Sequence, residues 1–290
     1  MEVPVKVLGV DIGGSHITAG WVDLHRLQLD QSSVIRRHVD SLGSKEHILT
    51  AWLEVLASFH LGREDRIGIA MPAPFDYEAG IALLKEQGKF RSLYALNIKK
   101  LLAKDLGLHP SQIQFSNDAA SFLQGEALYQ EIPAIHRLIG ITLGTGLGSS
   151  YRFGEQATDA ALWSAPFKGR HAEYYLGTEW FVRFAAEKCG LVGVVPKEFL
   201  KLEPELAKEA FSEFGANLGE FLAEPIRAHR IEQVVIGGNL AKGRSYFYPE
   251  MMQELDRQHI RVTVHFSQLG EDAALIGAAS KCRLSSTEPK

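Results

Sequence analysis

Cysteine is nearly missing from this sequence: Cys189 and Cys282 are the two in 290 residues, and neither stands in a Cys-x-x-Cys or Cys/His cluster. That excludes a thiolate zinc knot and a disulfide scaffold, and it suits a reducing compartment. No apolar run approaches the roughly 20 residues that span a bilayer. The first residues also lack the basic start, apolar stretch and small-residue cleavage site of a secretory leader. The expectation is a cytoplasmic protein with no membrane partner. Runs of Lys or Arg are absent too, and 31 basic against 35 acidic residues leave a formal net charge of −4. A broad nucleic-acid surface is therefore not expected, although a local basic patch around a phosphate is compatible with this balance. A Walker A loop, Gly-x4-Gly-Lys-Ser/Thr, is likewise missing.

What is present is the balance of an ordinary globular protein, 46% hydrophobic and 23% charged, in a chain long enough for two cores. Val5–Val10 reads as a buried strand, and Ser15–Asp23 resumes as a second after Gly13-Gly14, a hairpin signal. Helical spacing runs over Lys45–Leu61, with Ile48, Leu49, Trp52, Val55 and Leu56 apolar, and again over Leu93–Leu106. Arg66–Ala70 is a strand ended by Pro72-Ala73-Pro74. Gln112–Phe115 is a strand running into Ser116-Asn117-Asp118, and Ala119–Tyr129 is a helix that Asn117 or Asp118 can cap. A second strand–glycine turn–strand unit spans His136–Phe153, a weak echo of the first. Ala172–Arg230 is mostly helical. A strand at Val234–Ile236 ends in Gly237-Gly238-Asn239, another covers Val262–Phe266, and an Ala-rich helix covers Asp272–Lys281. No low-complexity linker divides the chain, so a boundary falls at a packed hinge near Asp118–Glu126.

Four short stretches carry chemistry. In Asp11-Ile12-Gly13-Gly14-Ser15, glycines let backbone N–H groups approach an anion, and a strand-end carboxylate can hold Mg²⁺ through water. In Gly144-Thr145-Gly146-Leu147-Gly148, exposed amides and a hydroxyl can cradle a phosphate. In Asn117-Asp118, a carboxylate at a strand-to-helix junction can accept the proton of an attacking hydroxyl. In Gly237-Gly238-Asn239, a flat base can lie against the backbone. Taken singly, each has an ordinary explanation: a tight turn, a flexible hairpin, an N-cap, a strand-ending turn.

Their order and spacing together resemble the ROK family of sugar kinases and the related bacterial glucokinases. The matching segments are VLGVDIGGSHITAGWVD, IGIAMPAPFD, FSNDAASFLQGEA, LIGITLGTGLGSS and VVIGGN. The resemblance implies an α/β fold of two actin-like, ribonuclease H-like lobes with an ATP and sugar cleft. It implies a small lobe over residues 1–118, with a helix at 272–288 packing back on it, and a large lobe over 119–271. By the same resemblance, Asp11, Gly13, Gly14 and Ser15 serve ATP phosphates, and Asp11 serves Mg²⁺ through water. Gly144, Thr145 and Gly146 hold phosphate, and Gly237 and Gly238 lie against adenosine. Asp118 is the base, Asn117 binds sugar hydroxyls, and Glu173 contacts the sugar. The implied reaction is ATP-dependent phosphorylation of a hexose or hexosamine hydroxyl, by a homodimer.

One departure stands out. Where the family carries a Gly-Glu-x-Gly-His loop that holds the sugar, this chain reads Asp159 to His171 with no such pair. The family's zinc cluster is missing as well, so no structural zinc is expected. Lys168, Arg170 and His171 can accept a more anionic substrate, or form a solvated loop. Lys85, Glu86, Gln87 and Lys89 lie where the family's sugar-domain loop begins. Two other readings are a sugar-sensing regulator and a catalytically degenerate nucleotide- or sugar-binding protein. The first is disfavoured because the hairpin at residue 11 leaves no room for a preceding helix-turn-helix. The second is kept open by the altered sugar loop.

Overall fold

The computed structural model describes residues 6–85 and 89–284. Val5, Glu86, Gln87 and positions 285–288 of the expected last helix lie outside the described residues. The chain divides into two compact units: residues up to Ile132 together with the segment from Glu271, and Pro133–Gly270.

In the first unit the strands are β1 (Lys6–Ile12), β2 (His16–Asp23), β3 (Gln28–Leu29), β4 (Ile35–His38), β5 (Ile67–Met71), β6 (Phe75–Asp76), β7 (Ile81–Ala82) and β8 (Ile113–Asn117). The helices are α1 (Lys45–Ala57), α2 (Ile98–Leu106) and α3 (Asp118–Tyr129). The main sheet has the order β3-β2-β1-β5-β8, with β4 also on β2. β1 runs antiparallel to β2 and parallel to β5, with Asp11 opposite Ala70. β8 is parallel to β5, with Asn117 opposite Met71. Hence Asp11 and Asn117 both stand at the carboxyl ends of parallel strands, the edge where open α/β sheets bind ligands.

Helix α1 buries Ile48, Leu49, Trp52, Val55 and Leu56 on one stripe, as its 3.6-residue spacing demands. Ser44 caps it by accepting the His47 amide (3.2 Å). Helix α2 starts at Ile98, five residues later than the apolar spacing implies. Ala95 takes a left-handed φ of 61°, and the Asn97 side chain accepts the Lys100 amide (2.8 Å). The cap therefore sets the start, and Leu93 is buried from a preceding turn of 3₁₀ helix.

The second unit repeats the plan. Its strands are β9 (Leu138–Leu143), β10 (Leu147–Arg152), β11 (Ala157–Asp159), β12 (Pro166–Phe167), β13 (Arg170–His171), β14 (Gln233–Gly237) and β15 (Thr263–Phe266). Its helices are α4 (Glu173–Leu176), α5 (Thr178–Cys189), α6 (Pro196–Leu202), α7 (Pro204–His229) and α8 (Arg244–Arg257). The sheet order is β11-β10-β9-β14-β15. β9 is antiparallel to β10 and parallel to β14, and β14 is parallel to β15. The pattern matches β2-β1-β5-β8 strand for strand. The long helix α7 turns Ala207, Phe211, Phe214, Leu218, Leu222 and Ile226 inward, where they meet Phe181 and Phe247 in one apolar cluster. Each such aromatic contributes about 1.5–3 kcal/mol by leaving water.

The last helix, α9 (Asp272–Leu284), belongs to the first unit. It lies backbone-close on α3: a Cβ on Gly277 would run into the Ser121 carbonyl, and one on Gly125 into the Ala273 carbonyl. The two glycines are what allow this approach. Among the described residues, no helix is long and apolar enough to cross a membrane.

Candidate functional site

Each unit gathers its own set of the residues singled out by sequence. In the first unit, the turn between β1 and β2 is closed by the Gly13 amide donating to the His16 carbonyl (2.9 Å). Gly13 and Gly14 carry no side chain to screen their amides, which makes the turn a ready anion cradle. Ser15 is exposed, and its Oγ is hydrogen-bonded to His16 Nδ1 at 2.8 Å. Asp11 is half-buried just before the turn. Burial raises its carboxyl to about 7, and the charge of Asp118 pushes the same way; Arg36 opposes them, while Glu271, paired with Arg36 at 2.6 Å, adds to the rise.

Asp118 is the first residue of α3 and half-buried, with Oδ1 accepting the Ala119 amide (2.8 Å). Asn117 takes the capping role: its Oδ1 accepts the Ala120 amide (3.0 Å), and its Nδ2 donates to the Tyr77 hydroxyl (3.2 Å). Tyr77 in turn donates to the Met71 carbonyl (3.0 Å). Because Asn117 caps the helix, the Asp118 side chain is not needed for the Ala120 amide. Two carboxylates at one sheet edge, each raising the cost of the other's charge, form a place that a divalent cation would relieve.

In the second unit, Gly144, Thr145 and Gly146 form the turn between β9 and β10. The Gly144 amide donates to the Gly146 carbonyl (3.1 Å). Thr178, at the start of α5, clamps the turn by giving both its amide (2.9 Å) and its hydroxyl (2.8 Å) to the Gly144 carbonyl. Glu173 braces it from the other side, with Oε2 accepting the Leu147 amide (2.9 Å) and resting against Gly146. Thr145 is left exposed at the tip. Gly237 and Gly238 adjoin this turn: Gly237 pairs with Thr142 across β14 and β9. Gly238 has a φ of 88°, and a Cβ there would strike the Leu143 carbonyl.

Two contributors escape a reading of the sequence. Tyr77 lies 40 residues from the Asn117 it supports, and no local pattern links them. Thr178 carries a faint signal, a hydroxyl residue after glycine at a helix entrance. The loop that replaces the family's sugar loop is tied down: Lys168 donates to Asn217 Oδ1 (2.7 Å) and pairs with Glu220 (2.7 Å). Arg170 and Arg183 instead lie over the Tyr174 ring, their guanidinium carbons 5.5 and 3.4 Å from its centre. Among the described residues, no group of three or more His, Cys, Asp or Glu side chains is arranged to hold a metal ion.

The fold these two units define is the α/β architecture of two actin-like lobes. A ROK family glucokinase from Streptomyces griseus, solved in complex with glucose and AMPPNP, superimposes with a TM-score of 0.77 at 22% identity, covering 96% of this chain and 99% of that one. The sequence matches the ROK family over residues 7–159, and the chain belongs to it. Among curated relatives, a glucokinase of Thermotoga maritima is 26% identical over 148 residues, and an N-acetyl-D-glucosamine kinase of Pectobacterium carotovorum is 29% identical over 149 residues. These matches take in 50% and 48% of this chain and 43% of each relative, so less than half the length of either relative is spanned.

Proposed function

We propose that this protein transfers the γ-phosphoryl group of ATP to a hydroxyl of a hexose or hexosamine, with Asp118 as general base. The observation that carries the reading is the half-buried carboxylate of Asp118 at the carboxyl edge of the β1-β5-β8 sheet, electrostatically coupled to Asp11 beside a bare glycine turn. The relatives named as kinases of glucose and N-acetyl-D-glucosamine support that class of acceptor.

In this reading the sugar hydroxyl gives its proton to Asp118 as its oxygen attacks the γ-phosphorus, and ADP carries off the bond pair of the broken P–O bond. The amides of Gly13 and Gly14, with Ser15, hold phosphate oxygens, as do Gly144, Thr145 and Gly146. Gly237 and Gly238 leave a flat surface for adenosine. Asn117 uses its cap and its Tyr77 bond to stay in place and offers its remaining N–H to the sugar. Glu173 serves the sugar with the carboxylate oxygen not taken by Leu147. Asp11 would hold Mg²⁺ through water, and the ion would supply charge neutralisation at the phosphates.

The test is ADP release in the presence of Mg²⁺ over a panel of hexoses, hexosamines, N-acetylated sugars and polyols. Stimulation by one of them supports the reading and names the acceptor. A second reading, a binding protein without turnover, is favoured by the engagement of Lys168 with Asn217 and Glu220. ATP binding with no stimulation by any sugar would select it.

A further inference from the structure

Lys89 stands immediately before a firmly packed residue of the first unit. The next residue, Phe90, is fully buried, packs its ring 5.5 Å from that of Trp52, and donates its amide to the Ser41 carbonyl (2.7 Å). With Phe90 fixed, the Lys89 side chain runs back across the first glycine turn. Its Cε, Cδ and Nζ lie 2.5, 2.7 and 2.7 Å from where a Cβ on Gly14 would stand. The lysine tail therefore lies directly against the Gly14 backbone, where a side chain at 14 would otherwise stand.

Among the described residues, Arg36 is engaged by Glu271 and Arg37 by Glu54. Among the described residues, no carboxylate pairs with Lys89. Its ammonium thus lies at a turn of bare amides, in the same unit as the Asp11 and Asp118 carboxylates. Adding a triphosphate to an edge that already holds two carboxylates calls for positive charge from the protein, and a lysine ammonium is a compact charge with three donors. Lys85, by contrast, lies with its ammonium 5.9 Å from the Tyr94 ring centre.

We infer that Lys89 is the cation that meets the transferring phosphoryl group of the nucleoside triphosphate at the Gly13–Gly14 turn; this rests on the kinase reading above. The turn shares its sheet edge with Asp118, so the end of the phosphate chain nearest the accepting hydroxyl is the end Lys89 faces. The lysine neither gives nor takes a proton. As the phosphorus passes from the ADP oxygen to the sugar oxygen and the sugar proton passes to Asp118, the ammonium offsets charge on the phosphoryl oxygens.

The experiment uses the full chain with Lys89→Met and Lys89→Arg. Turnover is read with the best sugar of the panel, and ADP and a non-hydrolysable ATP analogue are titrated calorimetrically. The expected result for Lys89→Met is a fall in kcat of about 10²-fold and weaker binding of the analogue, with ADP affinity and melting temperature unchanged. Lys89→Arg should recover part of both losses. A Lys89→Met protein that keeps turnover and analogue affinity, while wild type turns over sugar, overturns this inference and leaves the kinase reading standing. Equal losses for ADP and the analogue overturn it as well. Wild-type protein that binds no ATP removes both.

Discussion

The charge on Asp118 helps lift the Asp11 carboxyl to about 7, and the burial of Asp11 contributes more to that lift. Two carboxylates are thus held at one sheet edge at a cost in folding free energy. A protein that only needed to fold would gain from replacing one of them.

Stability should record that cost. The folded carboxyl of Asp11 sits at about 7 against an ordinary 3.8, so the folded state holds an extra proton between those values. The contribution of this one group to stability is greatest on the acid side and falls as pH rises toward the folded value. In metal-free buffer, Asp11→Asn should therefore raise the urea midpoint at about pH 8 and change it much less at about pH 4. An effect of Asp11→Asn that is the same at both pH values contradicts the coupling.

Glu173 has a bracing role that can be separated from any contact with substrate. Glu173→Ala leaves the buried Leu147 amide without its 2.9 Å acceptor, which should cost about 1–3 kcal/mol. Glu173→Gln keeps a carbonyl oxygen for that amide and should hold most of the stability. Chemical denaturation of the two variants checks this, and equal losses would count against the brace.

Much of this arrangement was legible in the sequence because glycine turns interrupt alternating strands: Gly13-Gly14 and Gly144–Gly146 mark where β1 and β9 turn back. The carboxyl-edge position of Asp118 follows from a strand that ends on a capping Asn117. Other parts were not legible, for physical reasons. Helix α8 spans Arg244–Arg257 with Pro249 inside it, and that helix breaker masks the helical spacing of the buried Phe247, Met251 and Leu255. Helix α2 starts later than the apolar spacing from Leu93 implies because the side-chain cap at Asn97 outweighs that spacing. Lys168 gives no local sign of its engagement with Asn217 and Glu220, which lie about fifty residues on and reach it only through tertiary packing.

The close approach of α3 and α9 predicts an unusual response to a mild change. Alanine is a better helix former than glycine by about 1 kcal/mol. Yet Gly277→Ala should destabilise, because its Cβ meets the Ser121 carbonyl and overpacking costs about 1–3 kcal/mol. A melting temperature raised by Gly277→Ala would refute the packing account.

Tyr77 supports Asn117 through its hydroxyl, and Tyr77→Phe removes that support without emptying the space. The loss should be about 1 kcal/mol in denaturation, with KM for the sugar raised more than the KM for ATP. Equal changes in both constants would separate Tyr77 from the sugar side of the site.

The proposed reaction depends on Asp118 taking the proton of the accepting hydroxyl. The most direct measurement is sugar-stimulated ADP release by wild type and Asp118→Asn, alongside ATP affinity for both. Asp118→Asn should lower kcat by roughly 10²–10⁴-fold while ATP still binds. Unchanged turnover in that variant would contradict the account.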